Sequence, residues 1–231
     1  MKQFPQVKDE YETLEKLLDG GSIARYGDGE LKLCLMKNCV SQLADEKLAA
    51  ELKQILLFPG KVLVGLPDVH RSPKDHWKNY NVPKFADLLN PKVTYYSSFI
   101  TRPDNAPWID TDIYWENVEK LWAGRTVTLV AGSNRSLRFN MMESATKVYE
   151  PYKEHMEKEL FRRDAYKYID QIEIDMMEDE SEIILLCLGA AATCLAHRLA
   201  QKGKWAIDLG HLGMFMRHKG DYYDKNGPNG I

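Results

Sequence analysis

Apolar residues alternate along the chain between helical spacing and short continuous runs. In the first half, helical spacing is clearest where Leu48, Leu52 and Ile55 recur on one face before Pro59-Gly60 ends the segment. Runs of apolar, β-branched and aromatic residues predict strands between such segments. The pattern predicts helices at 8–19, about 45–57, 75–89 and 112–122, and strands at 22–26, 61–67 and 92–100.

The second half repeats the alternation with more strongly apolar strands. The stretch from Glu182 to Gly203 predicts a buried strand, a turn at Gly189 and a helix that ends at Gly203. Further strands are predicted at 125–134, 146–151 and 204–211, and further helices at about 135–143 and 153–180.

Continuous apolar strands are typical of parallel sheets that helices cover on both faces. The predicted fold class is therefore α/β, a Rossmann-like three-layer sandwich with a mostly parallel sheet. The chain shows neither an internal repeat nor an interdomain linker. Residues 1–231 are expected to form a single domain with a frayed tail from about residue 220.

Composition narrows the classes of partner. The 231 residues carry a formal net charge of −3 and lack a basic excess, so no nucleic-acid partner is expected. The longest apolar run, 183–196, is too short to span a bilayer, so no transmembrane segment is expected. The four cysteines match no zinc-binding spacing and indicate a reducing, cytoplasmic location. Peripheral contact with the inner face of the membrane stays open.

Two carboxylates follow the first predicted strand in the stretch "ARYGDGEL". Ligands of such folds bind beyond the carboxyl ends of the strands. Hard cations such as Mn²⁺ or Mg²⁺ take carboxylate oxygens and often share a substrate phosphate. Asp28 and Glu30 are therefore candidate metal ligands, and a solvated surface turn is the alternative.

Two strand–glycine–helix junctions could surround a phosphate with backbone N–H groups. They are "VAGSNRS", which contains Ser133 and Arg135, and "LGAAAT", which contains Thr193. Neither matches a G-x-G-x-x-G motif or a P-loop, so a plain βα turn is the alternative at each.

Two more polar residues follow predicted strands. Arg102, in "FITRPD", suits a bidentate contact with a phosphate, or a surface salt bridge. His211, in "DLGHLG", is a candidate general base or a structural histidine.

Three motifs together resemble those of the GT-D type bacterial glycosyltransferases: "SIARYGDGEL", "SSFITRPD" and "ILLCLGAAATCLAHRLAQKGKWAIDLGH". The resemblance extends from about residue 20 to residue 218. It implies a Rossmann-like fold and metal-dependent sugar transfer from a nucleotide-sugar donor, a UDP-sugar with UDP-glucose favoured. It also implies a glycan or glycoprotein acceptor in bacterial surface polysaccharide or adhesin glycosylation.

The resemblance assigns roles to individual residues. Asp28 and Glu30 match the family's Asp-x-Glu metal motif, and Arg25 matches the arginine that precedes it. Thr101 and Arg102 match a Thr-Arg pair. With the junction residues added, the expected site has Mn²⁺ or Mg²⁺ on Asp28 and Glu30, donor-binding residues Arg25, Thr101, Arg102, Ser133, Arg135 and Thr193, and catalytic residues Asp208 and His211.

The chain departs from the family's pattern in two places. Residues 135–140 lack the glycines and the aspartate that follow the family's middle strand, and Leu212-Gly213-Met214 replaces acidic residues after the Gly-His pair. Two other functions therefore stay open, a sugar-phosphate phosphotransferase or hydrolase and a non-catalytic nucleotide-sugar-binding subunit. A homo-oligomer stays open as well.

Overall fold

The computed structural model describes residues 5–39, 42–71, 85–106, 111–132, 145–151 and 164–213. Within these residues helices and strands alternate, which confirms the α/β prediction. The helices are α1 (Glu10–Leu18), α2 (Asp28–Cys34), α3 (Glu46–Leu57), α4 (Thr111–Glu119), α5 (Ile169–Glu178) and α6 (Ala190–Gln201). The strands are β1 (Ser22–Arg25), β2 (Val62–Leu66), β3 (Tyr95–Ser97), β4 (Val127–Ala131), β5 (Lys147–Tyr149), β6 (Ile183–Cys187) and β7 (Ala206–Asp208).

The described strands form one sheet in the order β3-β2-β1-β7-β6-β4-β5. Each pairing between them is parallel, which confirms the predicted sheet. Strand β7 lies at the centre, where Ile207 pairs with Ile23 of β1 and with Leu185 of β6. The carboxyl ends of β1 and β7 are therefore neighbours.

Helices cover the apolar strands. Every residue of β4 and β6 is buried, as their continuous apolar sequences predict. Helix α6 packs against β1 and β7, α3 and α5 pack against α6, and α1 packs against β3. The arrangement is that of a Rossmann-like three-layer sandwich.

Two local predictions are corrected. No helix was predicted directly after β1, but α2 begins at Asp28, and the Glu30 carboxylate caps it by accepting the Gly27 N–H at 2.7 Å. The strand predicted at 92–100 is only β3, because the Ser97 hydroxyl accepts the Phe99 N–H at 3.1 Å and starts a 3₁₀ turn. The predicted helix at 135–143, most of that at 75–89, residues 153–163 of another, and the tail from about 220 lie outside the described residues.

Asp179 joins three elements beside the edge of the sheet. Its carboxylate accepts hydrogen bonds from Thr128 of β4 (3.0 Å), from Lys147 of β5 (2.9 Å) and from the Ser181 N–H (3.0 Å). Burial by itself would raise the pKa of Asp179, but the bonds from Lys147, Ser181 and Thr128 outweigh it and lower the pKa to about 2.

We expect Asp179→Asn to lower the free energy of unfolding by about 1–2 kcal/mol at pH 7, less than the pKa shift alone implies, because Lys147 is solvent-exposed. The folded pKa lies below the unfolded value, so this stabilisation is complete above about pH 4 and disappears as the pH falls towards 2. Urea unfolding of both proteins across this range measures it. A difference that does not change with pH would contradict the assignment.

Candidate functional site

The candidate site lies at the carboxyl ends of β1 and β7. Strands β1 to β3 extend the sheet in one direction, and β6, β4 and β5 extend it in the other. Ligands of open α/β sheets bind beyond the carboxyl ends of the strands. Arg25 is the last residue of β1 and Asp208 is the last residue of β7, so the fold places two predicted site residues side by side at this point.

Asp208 is buried and bonded within the protein. Its Oδ2 accepts the Arg25 backbone N–H at 3.2 Å, and its Oδ1 accepts the Gly210 N–H at 3.0 Å. Oδ1 also lies 3.8 Å from Nη1 of Arg25. Burial raises the pKa of Asp208, and the Arg25 charge and these hydrogen bonds oppose the rise.

The guanidinium of Arg25 is buried with it. Its Nε donates to the Ser98 carbonyl oxygen at 3.1 Å, at the point where β3 ends. Its Nη1 lies against Gly210, so closely that a Cβ atom at that position would overlap it. Burial lowers the pKa of Arg25, and the charges of Asp208 and Glu30 oppose this.

Thr193 joins the same contacts from α6. Its side chain is fully buried, and its hydroxyl lies 2.8 Å from the Arg25 carbonyl oxygen and 3.1 Å from Oδ2 of Asp208. We call this set the Arg25–Asp208 network; its members are Arg25, Ser98, Thr193, Asp208 and Gly210. It connects the loops that follow β1, β3 and β7 to the first turn of α6.

Asp28 and Glu30 lie in the first turn of α2, which begins shortly after β1 ends. Asp28 pairs with Lys32 at 2.6 Å, and its side chain is 41% exposed. Glu30 is half-buried, and burial raises its pKa; the Gly27 N–H opposes the rise and the charge of Asp208 adds to it. Asp28 is thus paired with a cation, whereas the charge on Glu30 is disfavoured by burial and by Asp208 and favoured by the Gly27 N–H and by Arg25.

This donor set suits a hard cation. Carboxylate oxygens are ligands for Mn²⁺ and Mg²⁺, and a cation would offset the charge that burial and Asp208 make unfavourable on Glu30. Among the described residues no group of three or more metal-ligating side chains occurs. Substrate oxygens or water can supply the remaining ligands of a cation on these two carboxylates.

The turn after β3 carries the predicted Thr-Arg pair. Arg102 makes a bidentate pair with Asp104, with both N–O distances 2.8 Å, and its side chain is one-third exposed. Its charge acts on Arg25 and lowers that residue's pKa. Thr101 is buried, with its hydroxyl 3.5 Å from the Ser98 carbonyl oxygen. The structure thus places Arg102 near the Arg25–Asp208 network, whereas Thr101 is buried in the turn.

His211 is exposed and directly follows Gly210, whose φ is +51°. It follows β7 at the same carboxyl edge of the sheet. Ser133 and Arg135, predicted to bind the donor, lie outside the described residues.

Known proteins share this architecture. The model of the family described as "Glycosyltransferase GT-D fold" matches residues 23–216. The chain belongs to the GT-D glycosyltransferase fold family. The match confirms the resemblance inferred from the motifs.

Two streptococcal proteins are similar to this GT-D chain. It is 26% identical over 223 residues to the probable glycosyl transferase Gly of Streptococcus gordonii, covering 87% of this chain and 31% of the relative. It is 22% identical over 228 residues to glycosyltransferase GlyD of Streptococcus pneumoniae, covering 90% of this chain and 27% of the relative. The GT-D chain therefore spans less than a third of the length of either relative.

Solved structures show the same fold. One is described as a highly conserved domain of unknown function 1792 with a distinct glycosyltransferase fold; the TM-score is 0.73 at 27% identity, covering 91% of this chain and 79% of that one. Another, a new glycosyltransferase from Streptococcus sanguinis, gives 0.72 at 26% identity, covering 90% and 82%. In the described part of this GT-D chain, no helix is both long and apolar enough to cross a membrane.

Sequence reasoning missed two contributors to the site. Ser98 takes part through its backbone carbonyl, so its side chain gave no signal. Gly210 was identified only as a neighbour of His211, although its lack of a side chain makes room for Arg25.

In this GT-D chain, Gly210→Ala is expected to lower the free energy of unfolding by about 2–3 kcal/mol, because the new methyl group displaces the buried Arg25 as well as straining a positive φ. Gly124→Ala is the matched control: its φ is +73°, but nothing lies within 4 Å of the added Cβ. The control should lose only about 1 kcal/mol. If urea unfolding shows equal losses of stability in the two variants, the Arg25 side chain moves aside at little cost in free energy.

Proposed function

We propose that the chain is a metal-dependent glycosyltransferase that moves a sugar from a nucleotide-sugar donor to a hydroxyl of a glycan or glycoprotein acceptor. The donor is a UDP-sugar, with UDP-glucose favoured, and the setting is bacterial surface polysaccharide or adhesin glycosylation. The observation that carries the proposal is the Asp28–Glu30 pair beside the Arg25–Asp208 network, at the carboxyl edge of the sheet in a GT-D fold.

Asp28 and Glu30 would hold Mn²⁺ or Mg²⁺ together with the donor diphosphate. When bound, the cation supplies Lewis-acid stabilisation of the negative charge on the departing nucleoside diphosphate. Before binding, Asp28 is paired with Lys32, and this exposed pair is weak enough to open.

The two arginines have different roles in the proposal: Arg102 contacts the donor phosphate and Arg25 positions the loops of the site. Arg102 is one-third exposed, and its Nε and Nη2 both donate to the carboxylate of Asp104. It would bind a phosphate with the same bidentate geometry. Arg25 is buried against Ser98, Gly210 and Asp208, so we assign it to positioning the loops. Thr193, Asp208 and Thr101 are likewise buried and act by positioning in this proposal.

His211 is our choice for the base that accepts the proton of the acceptor hydroxyl. It is exposed at the edge where Asp28 and Glu30 lie, so an acceptor can reach it. The neighbouring Asp208 is a poorer choice, because both of its oxygens already accept hydrogen bonds inside the protein.

The test is turnover of UDP-glucose and other UDP-sugars by the purified chain, with Mn²⁺, with Mg²⁺ and with a chelator. Metal-dependent release of UDP supports the proposal. Release of inorganic phosphate instead would indicate the phosphotransferase or hydrolase, and tight binding without turnover on any acceptor would indicate a binding subunit. The proposal includes a cytoplasmic location, which the four free cysteines support, and leaves a homo-oligomer as a prediction.

A further inference from the structure

Asn105 carries a buried polar group that the described fold leaves unpaired. The residue is 2% exposed, and its carboxamide oxygen Oδ1 accepts no hydrogen bond from any described residue. It is the one buried side-chain oxygen or nitrogen in the described part of the chain of which this is true. Buried acceptors are nearly always paired, because an unpaired one is destabilising. The unpaired oxygen is therefore a candidate to accept a hydrogen bond from a bound ligand.

The position of Asn105 connects it to the candidate site. It ends the 3₁₀ turn Pro103–Asn105, which follows β3 at the carboxyl edge of the sheet. Its backbone N–H donates to the Arg102 carbonyl oxygen at 2.8 Å. Arg102 is in turn near enough to Arg25 for its charge to lower that residue's pKa. The unpaired oxygen thus belongs to the same loop as the proposed phosphate ligand.

The loop that carries the oxygen is well fixed. The Arg102 N–H donates to the Phe99 carbonyl at 2.8 Å, and the Ala106 N–H donates to the Pro103 carbonyl at 3.2 Å. Tyr114 of α4 donates its hydroxyl to the Ile100 carbonyl from below the turn. These bonds hold the backbone of the loop, so only the Asn105 side chain remains to be ordered when a ligand binds, which favours affinity.

We propose that Oδ1 of Asn105 accepts a hydrogen bond from the bound nucleotide sugar and makes Asn105 a specificity-determining residue for the donor. The ligand group is an N–H of the base or a hydroxyl of the sugar, since either supplies the missing proton. A ligand that offered an acceptor there would bury two unpaired oxygens and be rejected. This inference rests on the proposed function.

The test is Asn105→Leu, which replaces both polar atoms by methyl groups and keeps the branching of the side chain. Thermal unfolding should show unchanged or increased stability, because an unpaired buried acceptor is removed. Titration calorimetry with Mn²⁺ present should show donor affinity reduced about tenfold to a hundredfold. Asn105→Ala, which adds no bulk, should show the same loss of affinity; normal binding by it would mean that leucine acted by steric exclusion, and would overturn the inference.

Asn90→Leu is the matched control. The Asn90 amide is satisfied, since its Nδ2 donates to the Leu57 carbonyl at 2.9 Å and its Oδ1 accepts the Lys92 N–H at 3.0 Å. This variant should lose stability and keep the wild-type affinity. If Asn105→Leu behaves in the same way, Asn105 is a structural residue and the inference is wrong.

UDP and UDP-glucose distinguish the two ligand groups. If UDP and UDP-glucose weaken together in Asn105→Leu, the bond is to the nucleoside. If UDP binds as in the wild type and only UDP-glucose weakens, the bond is to the sugar. Unchanged binding of both overturns this inference alone, whereas a wild-type protein that binds neither overturns the proposed function and this inference with it.

Discussion

Glu30→Gln and Asp28→Asn are each expected to reduce metal-dependent sugar transfer by about a hundredfold to a thousandfold while the fold persists. Each removes a negative charge proposed to hold the cation. The introduced glutamine can still accept the Gly27 N–H and cap α2 through its oxygen, as Glu30 does at 2.7 Å. Burial already disfavours the charge on Glu30, so its removal should not destabilise the ligand-free protein.

The control for Asp28 is Lys32→Gln. Both substitutions break the same exposed ion pair, which contributes about 0.3–0.5 kcal/mol at most, but only Asp28→Asn removes a proposed ligand. Turnover of UDP-glucose at graded Mn²⁺ concentrations should be lost in Asp28→Asn and retained in Lys32→Gln. Equal losses in the two variants would assign the effect to the ion pair rather than to a cation site.

The second large effect is on stability: Asp208→Asn is expected to lower the free energy of unfolding by about 3–5 kcal/mol. The substitution leaves the Arg25 charge buried, with the Ser98 carbonyl oxygen and the charge of Glu30 to stabilise it. The new amide nitrogen also faces a backbone N–H, that of Arg25 or of Gly210, whichever way the amide turns. Such a loss is a large share of the stability of a typical domain.

A double-mutant cycle separates the ion pair from the hydrogen bonds. Arg25→Met removes the buried cation, and combining it with Asp208→Asn should restore part of the lost stability in urea unfolding. The coupling energy should be about 1–3 kcal/mol. Strictly additive losses would show that the 3.8 Å approach of Nη1 to Oδ1 contributes little.

The alternation of apolar runs was enough to predict the fold class, because parallel strands buried on both faces leave a strong signal. Helix α2 was missed for a physical reason. It has only seven residues and includes Gly29, so it is too short to show helical periodicity in the sequence. Its start is stabilised instead by the Glu30 side chain, which caps it. Strand β3 was overestimated because a side-chain hydrogen bond from Ser97, not a change in hydrophobicity, ends it.

The sequence identified individual candidate residues of the site, but it did not predict how they are arranged in space. Asp28 and Glu30 are two residues apart in sequence, so pairing them as candidate ligands required no knowledge of the fold. Arg25 and Asp208 are 183 residues apart and meet only because β7 pairs with β1, a strand order that no local pattern encodes. The open acceptor on Asn105 depends on what surrounds it in three dimensions, so no pattern in the chain distinguishes this asparagine from the others.

The central position of β7 has a consequence for how the protein is made. Until residues 206–208 leave the ribosome, β1 and β6 lack the strand that lies between them in the finished sheet, and we expect their edges to be unpaired. Such edges pair readily with other chains, and contacts so distant in sequence form slowly. The risk of aggregation is therefore concentrated in the interval before one three-residue strand inserts. The insertion of β7 also brings Asp208 to Arg25, so the candidate site forms only when the sheet is complete.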